Sequence, residues 1–157
     1  MACVEEILCQ LVEAFAWWDA KLADGQVVLA NAATDALMAG LDGEALAEMA
    51  GLPRRENPFE VDRLVARVAD ELALDVEQWS KSDEVAARRM CRELLAGRCS
   101  ERELSSWAHS RFHHESDSEP LNRLAELDDE YDELESMGED TTGIEQGIRD
   151  VAASIVR

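Results

Sequence analysis

Leu121, Leu124, Leu127, Tyr131, Leu134 and Met137 recur at steps of three and four residues, which predicts one face of an α-helix over 121–137. The positions between them are almost all acidic: Glu126, Asp128, Asp129, Glu130, Asp132, Glu133 and Glu135. No Lys or Arg occurs between Arg123 and Arg149. The pattern therefore expects a buried apolar stripe backed by a dense negative surface, and the rest of the chain can be read around it.

The same periodicity runs through the chain. Val4, Ile7, Leu8, Leu11, Val12, Phe15, Trp18 and Leu22 predict a helix over 3–23, closed by Gly25. Trp17 and Trp18 are adjacent, so they cannot share one face; one belongs on the core and the other on a flank or an interface. An Ala-rich helix is expected over 26–38, with Val27, Val28, Ala30, Leu37 and Met38 inward. Asp42 should cap a short helix over 43–50 carrying Leu46 and Met49. Asn57 followed by Pro58 opens a helix to about residue 74, lined by Phe59, Val61, Leu64, Val65, Val68 and Leu72. The segment 75–81, with Trp79, reads as a linker.

Ser82 caps a helix over 83–96 with Val85, Met90, Leu94 and Leu95 inward, and Gly97 stops it. Ser100 and Glu103 have capping-box spacing and start a helix carrying Leu104, Trp107, Ala108 and Phe112. Pro120 starts the acidic helix and Gly138 ends it. Thr142 and Glu145 repeat the capping-box spacing before Ile144, Ile148, Val151, Ala152 and Ile155. No run alternates apolar and polar residues as a strand would. The expected fold is an all-α bundle of seven or eight short helices, as one domain or as two helical halves, 1–78 and 79–157.

Composition adds the sign of the surface. The chain has 157 residues, 35 acidic and 15 basic, for a net charge of −20. Such a field repels nucleic acid and anionic membrane and speeds encounter with basic partners. The charge is uneven: residues 81–114 carry seven basic and five acidic residues, whereas 115–157 carry fourteen acidic and three basic ones. Arginines of the 83–112 hairpin are expected to pair with the acidic helix. The N-terminus lacks a basic signal-peptide region, and the longest apolar run, 14–18, is far short of the ~20 residues of a membrane span. A cytoplasmic location and reduced Cys3, Cys9, Cys91 and Cys99 follow as expectations, with all four thiols treated as small buried hydrophobes.

Candidate chemistry is sparse. His109 and His113 lie four apart, a zinc-ligand spacing on a helix, and Cys91, Cys99 or Glu115 could complete such a site. The cysteines are not at zinc-knuckle spacing and no H-E-x-x-H occurs, so the expectation is no metal and two histidines that suit a helix C-terminus. The run Asp128, Asp129, Glu130 and Asp132 lacks the glycine and ligand register of a calcium loop. No P-loop, G-x-G-x-x-G, nucleophile elbow or C-x-x-C occurs. No catalytic residue and no cofactor is expected.

Two tracts carry a resemblance. Residues from Ala36-Leu37-Met38-Ala39-Gly40-Leu41-Asp42-Gly43 to Ala50-Gly51-Leu52 resemble small helical actinobacterial proteins of unknown function. The hairpin from Cys91-Arg92-Glu93-Leu94-Leu95-Ala96-Gly97 through Ser100-Glu101-Arg102-Glu103 to Trp107-Ala108 is similar to a helix–turn–helix tract in immunity proteins of bacterial toxin systems. That likeness implies neutralisation of a toxin by direct, stoichiometric binding, and it brings no catalytic residues.

Together these readings expect an acidic protein-binding protein of the immunity or antitoxin kind, meeting a basic protein partner and neither nucleic acid nor membrane. The expected contact residues are Asp128, Asp129, Asp132, Glu133 and Glu135 on the acidic helix, with Trp17 and Trp18. Asp128, Asp132 and Glu135 are expected to share one exposed face, because they lie at i, i+4 and i+7. The alternatives are an adaptor subunit that docks through its tryptophans, and a DNA mimic that uses the same carboxylates.

Overall fold

The computed structural model describes residues 2–75 and 82–157. Among the described residues it contains eight α-helices and no strand. They are α1 (Val4–Asp19), α2 (Gly25–Met38), α3 (Glu44–Ala50), α4 (Pro58–Glu71), α5 (Ser82–Leu95), α6 (Glu101–Phe112), α7 (Glu119–Ser136) and α8 (Thr142–Val156). The chain divides into two compact units, Met1–Ala86 and Ala87–Arg157, with the division inside α5. The linker expected over 75–81, apart from Asp75, the boundary expected at 78 and Trp79 lie outside the described residues.

The first unit packs α1 on α2, α2 on α3 and α3 on α4. Its core joins Ile7, Leu11, Ala14 and Phe15 to Leu29, Ala33 and Ala36, then to Leu46, Met49, Val61, Leu64 and Val68. The α2 register differs in part from the expected one, although Val28 and Leu37 do pack against the core as expected. Its buried residues are Leu29, Ala33 and Ala36, whereas Met38 is 82% exposed. An Ala-rich helix offers several nearly equivalent apolar faces, and the small side chains face the neighbours because they let the helices approach closely. Phe59, expected inward, is also exposed, since α4 turns Val61, Leu64, Val68 and Ala69 to the core at helical spacing.

Cap chemistry sets the ends of these helices. Asn57 accepts from the Phe59 amide at 3.0 Å and Pro58 takes the first helical position, as expected. Asp42 does not cap α3. Glu71, on the last turn of α4, reaches back and accepts from the amides of Ala45 and Leu46, both at 3.0 Å. Gly43 makes room for it: a Cβ there would lie 1.8 Å from Glu71 Oε1. Gly25 opens α2 rather than closing α1, which ends at Asp19.

In the second unit, α6 packs on α7, α7 on α8, and α6 on α8. Leu104 and Ala108 of α6, Leu121, Leu124, Ala125 and Leu127 of α7, and Ile148 and Ala152 of α8 are buried. Met137 and Leu95, expected inward, are 55% and 45% exposed, each at the end of its helix where the neighbours run out. Ser100 and Glu103 form the expected capping box. Thr142 does not form the second one. Its amide and hydroxyl both donate to Asp140 Oδ1, while Glu145 accepts from Thr141 Oγ1 and Tyr131 Oη.

The cysteines separate into two pairs. Cys91 is buried and Cys99 half-buried, and burial pushes their thiols up to about 12 and about 11, so both are protonated and unreactive at neutral pH. Cys3 and Cys9 are exposed, against the expectation that all four are buried. Among the described residues, no helix is long and apolar enough to cross a membrane.

Candidate functional site: the polar face between α6 and α7

Arg102, Ser105, Ser106 and His109 follow one another at i, i+3, i+4 and i+7, which places them on one stripe of α6. All four point at a single carboxylate of α7, that of Asp128. Ser105 Oγ donates at 2.8 Å, Arg102 Nη1 at 2.9 Å and Ser106 Oγ at 3.1 Å to Oδ1. His109 Nδ1 lies 2.9 Å from Oδ2. Asp128 and Ser105 are buried.

Asp128 is therefore not part of an exposed acidic face. It lies one residue past Leu127, and α7 is rotated so that both Leu127 and Asp128 turn inward. Burial alone would push its carboxyl up. The bonds from His109 and Ser105, the charge of Arg102 and the bond from Ser106 outweigh that and hold it below the usual carboxylate range. Four donors around one buried anion leave it fully satisfied, which is the condition under which a buried charge is tolerated.

Arg102 extends the network along α7. Its guanidinium also bonds Asp132, approaches Glu135 at 4.0 Å, and stacks over the Tyr131 ring at 4.5 Å. The expected pairing of hairpin arginines with the acidic helix thus forms through Arg102. Arg123 takes Glu126 and Glu130 at 3.0 and 3.1 Å. His114 Nε2 meets Asp129 Oδ2 at 3.0 Å. Most of the acidic stripe is thus neutralised from within the unit. Glu133 and Glu139 have no ion pair among the described residues, and Glu135 only the 4.0 Å approach of Arg102. All three are exposed.

Trp17 and Trp18 both have partners within the first unit. Trp17 is buried and its indole donates to the Ala23 carbonyl at 2.8 Å. Trp18 packs against the first unit's core and donates to Asp62 Oδ1 at 2.7 Å. Adjacent helical positions point about 100° apart, so Trp17 is buried while Trp18 is half-buried.

His109 and His113 do not come together. His113 is the C-cap of α6, with φ 47°, and His114 follows with φ 68°. Two left-handed residues in succession turn the chain so that His114, and not His113, stacks edge-on to His109 with ring centres 5.0 Å apart. Helical spacing could not reveal this, because the partner lies beyond the helix end.

An open groove over the first unit is lined by Glu48, Leu52, Glu60, Arg63 and Arg67, whose charges pair off as Arg67–Glu48 and Arg63–Glu60. Comparison with protein-family models, with curated proteins and with solved structures finds no match to this chain.

Proposed function

We propose that this chain is an acidic protein-binding module of the immunity or antitoxin kind, which neutralises a basic toxin domain by occupying its substrate groove. The observation that carries the reading is the outer end of α7. Glu133, Glu135 and Glu139 are exposed there with little cationic compensation, beside carboxylates that Arg102 and Arg123 already hold. Glu133 and Glu135 sit on a packed helix and Glu139 just past its end, so a basic groove meets them at little cost in chain entropy. The net charge of −20 speeds that encounter at low salt.

Asp128 leaves the set of contact residues because it is committed inside the unit. Asp132 is shared with Arg102, while Asp129, Glu133 and Glu135 keep exposed carboxylates. The test is a nuclease toxin domain encoded beside this chain's gene, assayed with increasing amounts of the protein. Toxin activity should fall to zero at one equivalent, with an association rate that drops as salt rises. The variant Glu133→Lys/Glu135→Lys/Glu139→Lys should fold normally and require a large excess. Undiminished toxin activity at several equivalents of wild-type protein, in low salt, sinks the reading.

A further inference from the structure

Three metal-ligating side chains meet where α6 ends: His109 on its last turn, His114 just beyond it, and Asp129 on α7. One ligand atom from each lies within 4.8 Å of the other two. His114 Nε2 is 3.0 Å from Asp129 Oδ2, and His109 Nδ1 is 3.6 Å from Asp129 Oδ1. A tetrahedral ion with bonds of about 2.0–2.2 Å spaces its ligand atoms roughly 3.3–3.6 Å apart. The two measured separations end on different oxygens of Asp129 and lie close to that range. The geometry points to a site for one divalent cation of the zinc class, held by His109, His114 and Asp129 with solvent completing the shell.

Several features of the surroundings support it. The left-handed residues His113 and His114 bring the second imidazole onto the first, and an L-residue adopts that conformation only where its surroundings hold it. Asp128 Oδ2 lies 2.9 Å from the same His109 Nδ1, so an ion held by that nitrogen takes the place of the ring proton between them. Asp129 is 54% and His114 39% exposed, so an ion can enter without opening the core. Two imidazoles and one carboxylate select a borderline first-row ion over Mg²⁺ or Ca²⁺, which require oxygen ligands throughout. The site does not depend on the toxin-binding reading. It lies on the same helix as the acidic patch, and a bound ion would tie the turn after α6 to α7.

Two competing sources of binding must be separated. A surface of this charge attracts any dication, and the exposed thiols of Cys3 and Cys9 could take zinc themselves. The full-length Cys3→Ser/Cys9→Ser protein is therefore titrated with Zn²⁺, and separately with Co²⁺, at moderate ionic strength and in excess Mg²⁺. The expected result is one ion per chain with micromolar affinity or tighter, and visible Co²⁺ d–d bands without a thiolate charge-transfer band. His114→Gly, which keeps the left-handed turn, and Asp129→Asn should each weaken binding by at least about tenfold. His113→Asn should leave it unchanged. Zn²⁺ binding no tighter than Mg²⁺ binding overturns the proposal. So does a stoichiometric site that survives both His114→Gly and Asp129→Asn, or one lost equally in His113→Asn.

Discussion

Glu71 and Asp128 each reach from one helix to the next, one in each unit, and they serve the chain in opposite ways. Glu71 is exposed and spends its charge on backbone: two amides at the start of α3 that would otherwise lack partners. Asp128 is buried and spends its charge on side chains: Arg102, Ser105, Ser106 and His109. The first unit thus keeps polar groups at its margins, and among its described residues the interior is apolar. The second places an anion inside and builds a polar stripe of α6 to receive it. A charge in the interior fixes which residues of two helices face each other, since any slip of α6 along α7 would strand it. That specificity is what a surface needs if it is to present carboxylates at fixed spacing.

The apolar cores test what the two units share. Leu46→Ala in the first and Leu124→Ala in the second remove side chains that are fully buried. Each should cost about 2–5 kcal/mol by cavity formation, read from urea unfolding. Leu134→Ala should cost clearly less, because Leu134 is only half-buried. Equal losses at 124 and 134 would mean that α7 is not rotated as described, and that Asp128 is not inward.

The polar contrast comes next. Asp128→Ala strands a guanidinium, an imidazole and two hydroxyls, and should destabilise by about 3 kcal/mol. Asp128→Asn keeps the shape and some of the bonds, and should cost less. Acid should expose the same difference. A carboxyl whose folded pKa lies below its unfolded one, near 3.9 for Asp, stabilises the fold above that pH and loses the contribution as pH falls through the folded value. Asp128 and Glu71 are both shifted downward, Asp128 against its burial by its four donors, Glu71 by the amides of Ala45 and Leu46. Stability of the wild type should therefore decline below about pH 4, and Asp128→Asn should show a shallower decline. A wild-type curve that stays flat between neutral pH and pH 3 would contradict both assignments.

These two carboxylates also mark the limit of what the sequence discloses. Element type was legible throughout, because periodicity and capping residues such as Asn57-Pro58 and Ser100-x-x-Glu103 are local signals. Element rotation was less so. In α2 the alanines gave no single apolar face, and in α7 the acidic run hid Asp128 among solvated neighbours. Its inward position shows only as the polar stripe at 102, 105, 106 and 109, whose i, i+3, i+4, i+7 spacing is that of a buried face. Glu71 and Gly43 are twenty-eight positions apart, and nothing local joins them. Gly43→Ala should disrupt the Glu71 bonds to α3 by steric conflict, and Glu71→Ala removes them outright. The double variant should be little worse than either single one, which a double-mutant cycle in thermal unfolding will read. Additive losses would mean that the two residues act separately.

The smallest expected effect has the opposite sign. Helices α2, α5 and α7 all stop at a glycine in the left-handed region: Gly40, Gly97 and Gly138, with φ of 96°, 77° and 68°. In each case the amide one residue further on bonds back five positions, as Leu41 to Ala36, Arg98 to Glu93 and Glu139 to Leu134. Helix α4 ends in the same way, with the Leu74 amide on the Ala69 carbonyl at 2.8 Å, but the left-handed residue is Ala73, φ 51°. Its Cβ crowds the adjacent carbonyl, a strain of about 1 kcal/mol that glycine does not carry. Ala73→Gly should therefore stabilise the protein by up to about 1 kcal/mol, less whatever glycine adds to the entropy of the unfolded chain. Because Glu71 lies two residues earlier, a firmer end to α4 should also steady its grip on Ala45 and Leu46. In a Glu71→Ala background the gain from Ala73→Gly should then be smaller than in the wild type. An undiminished gain would confine the effect to the turn itself and leave the α3 cap independent of how α4 ends.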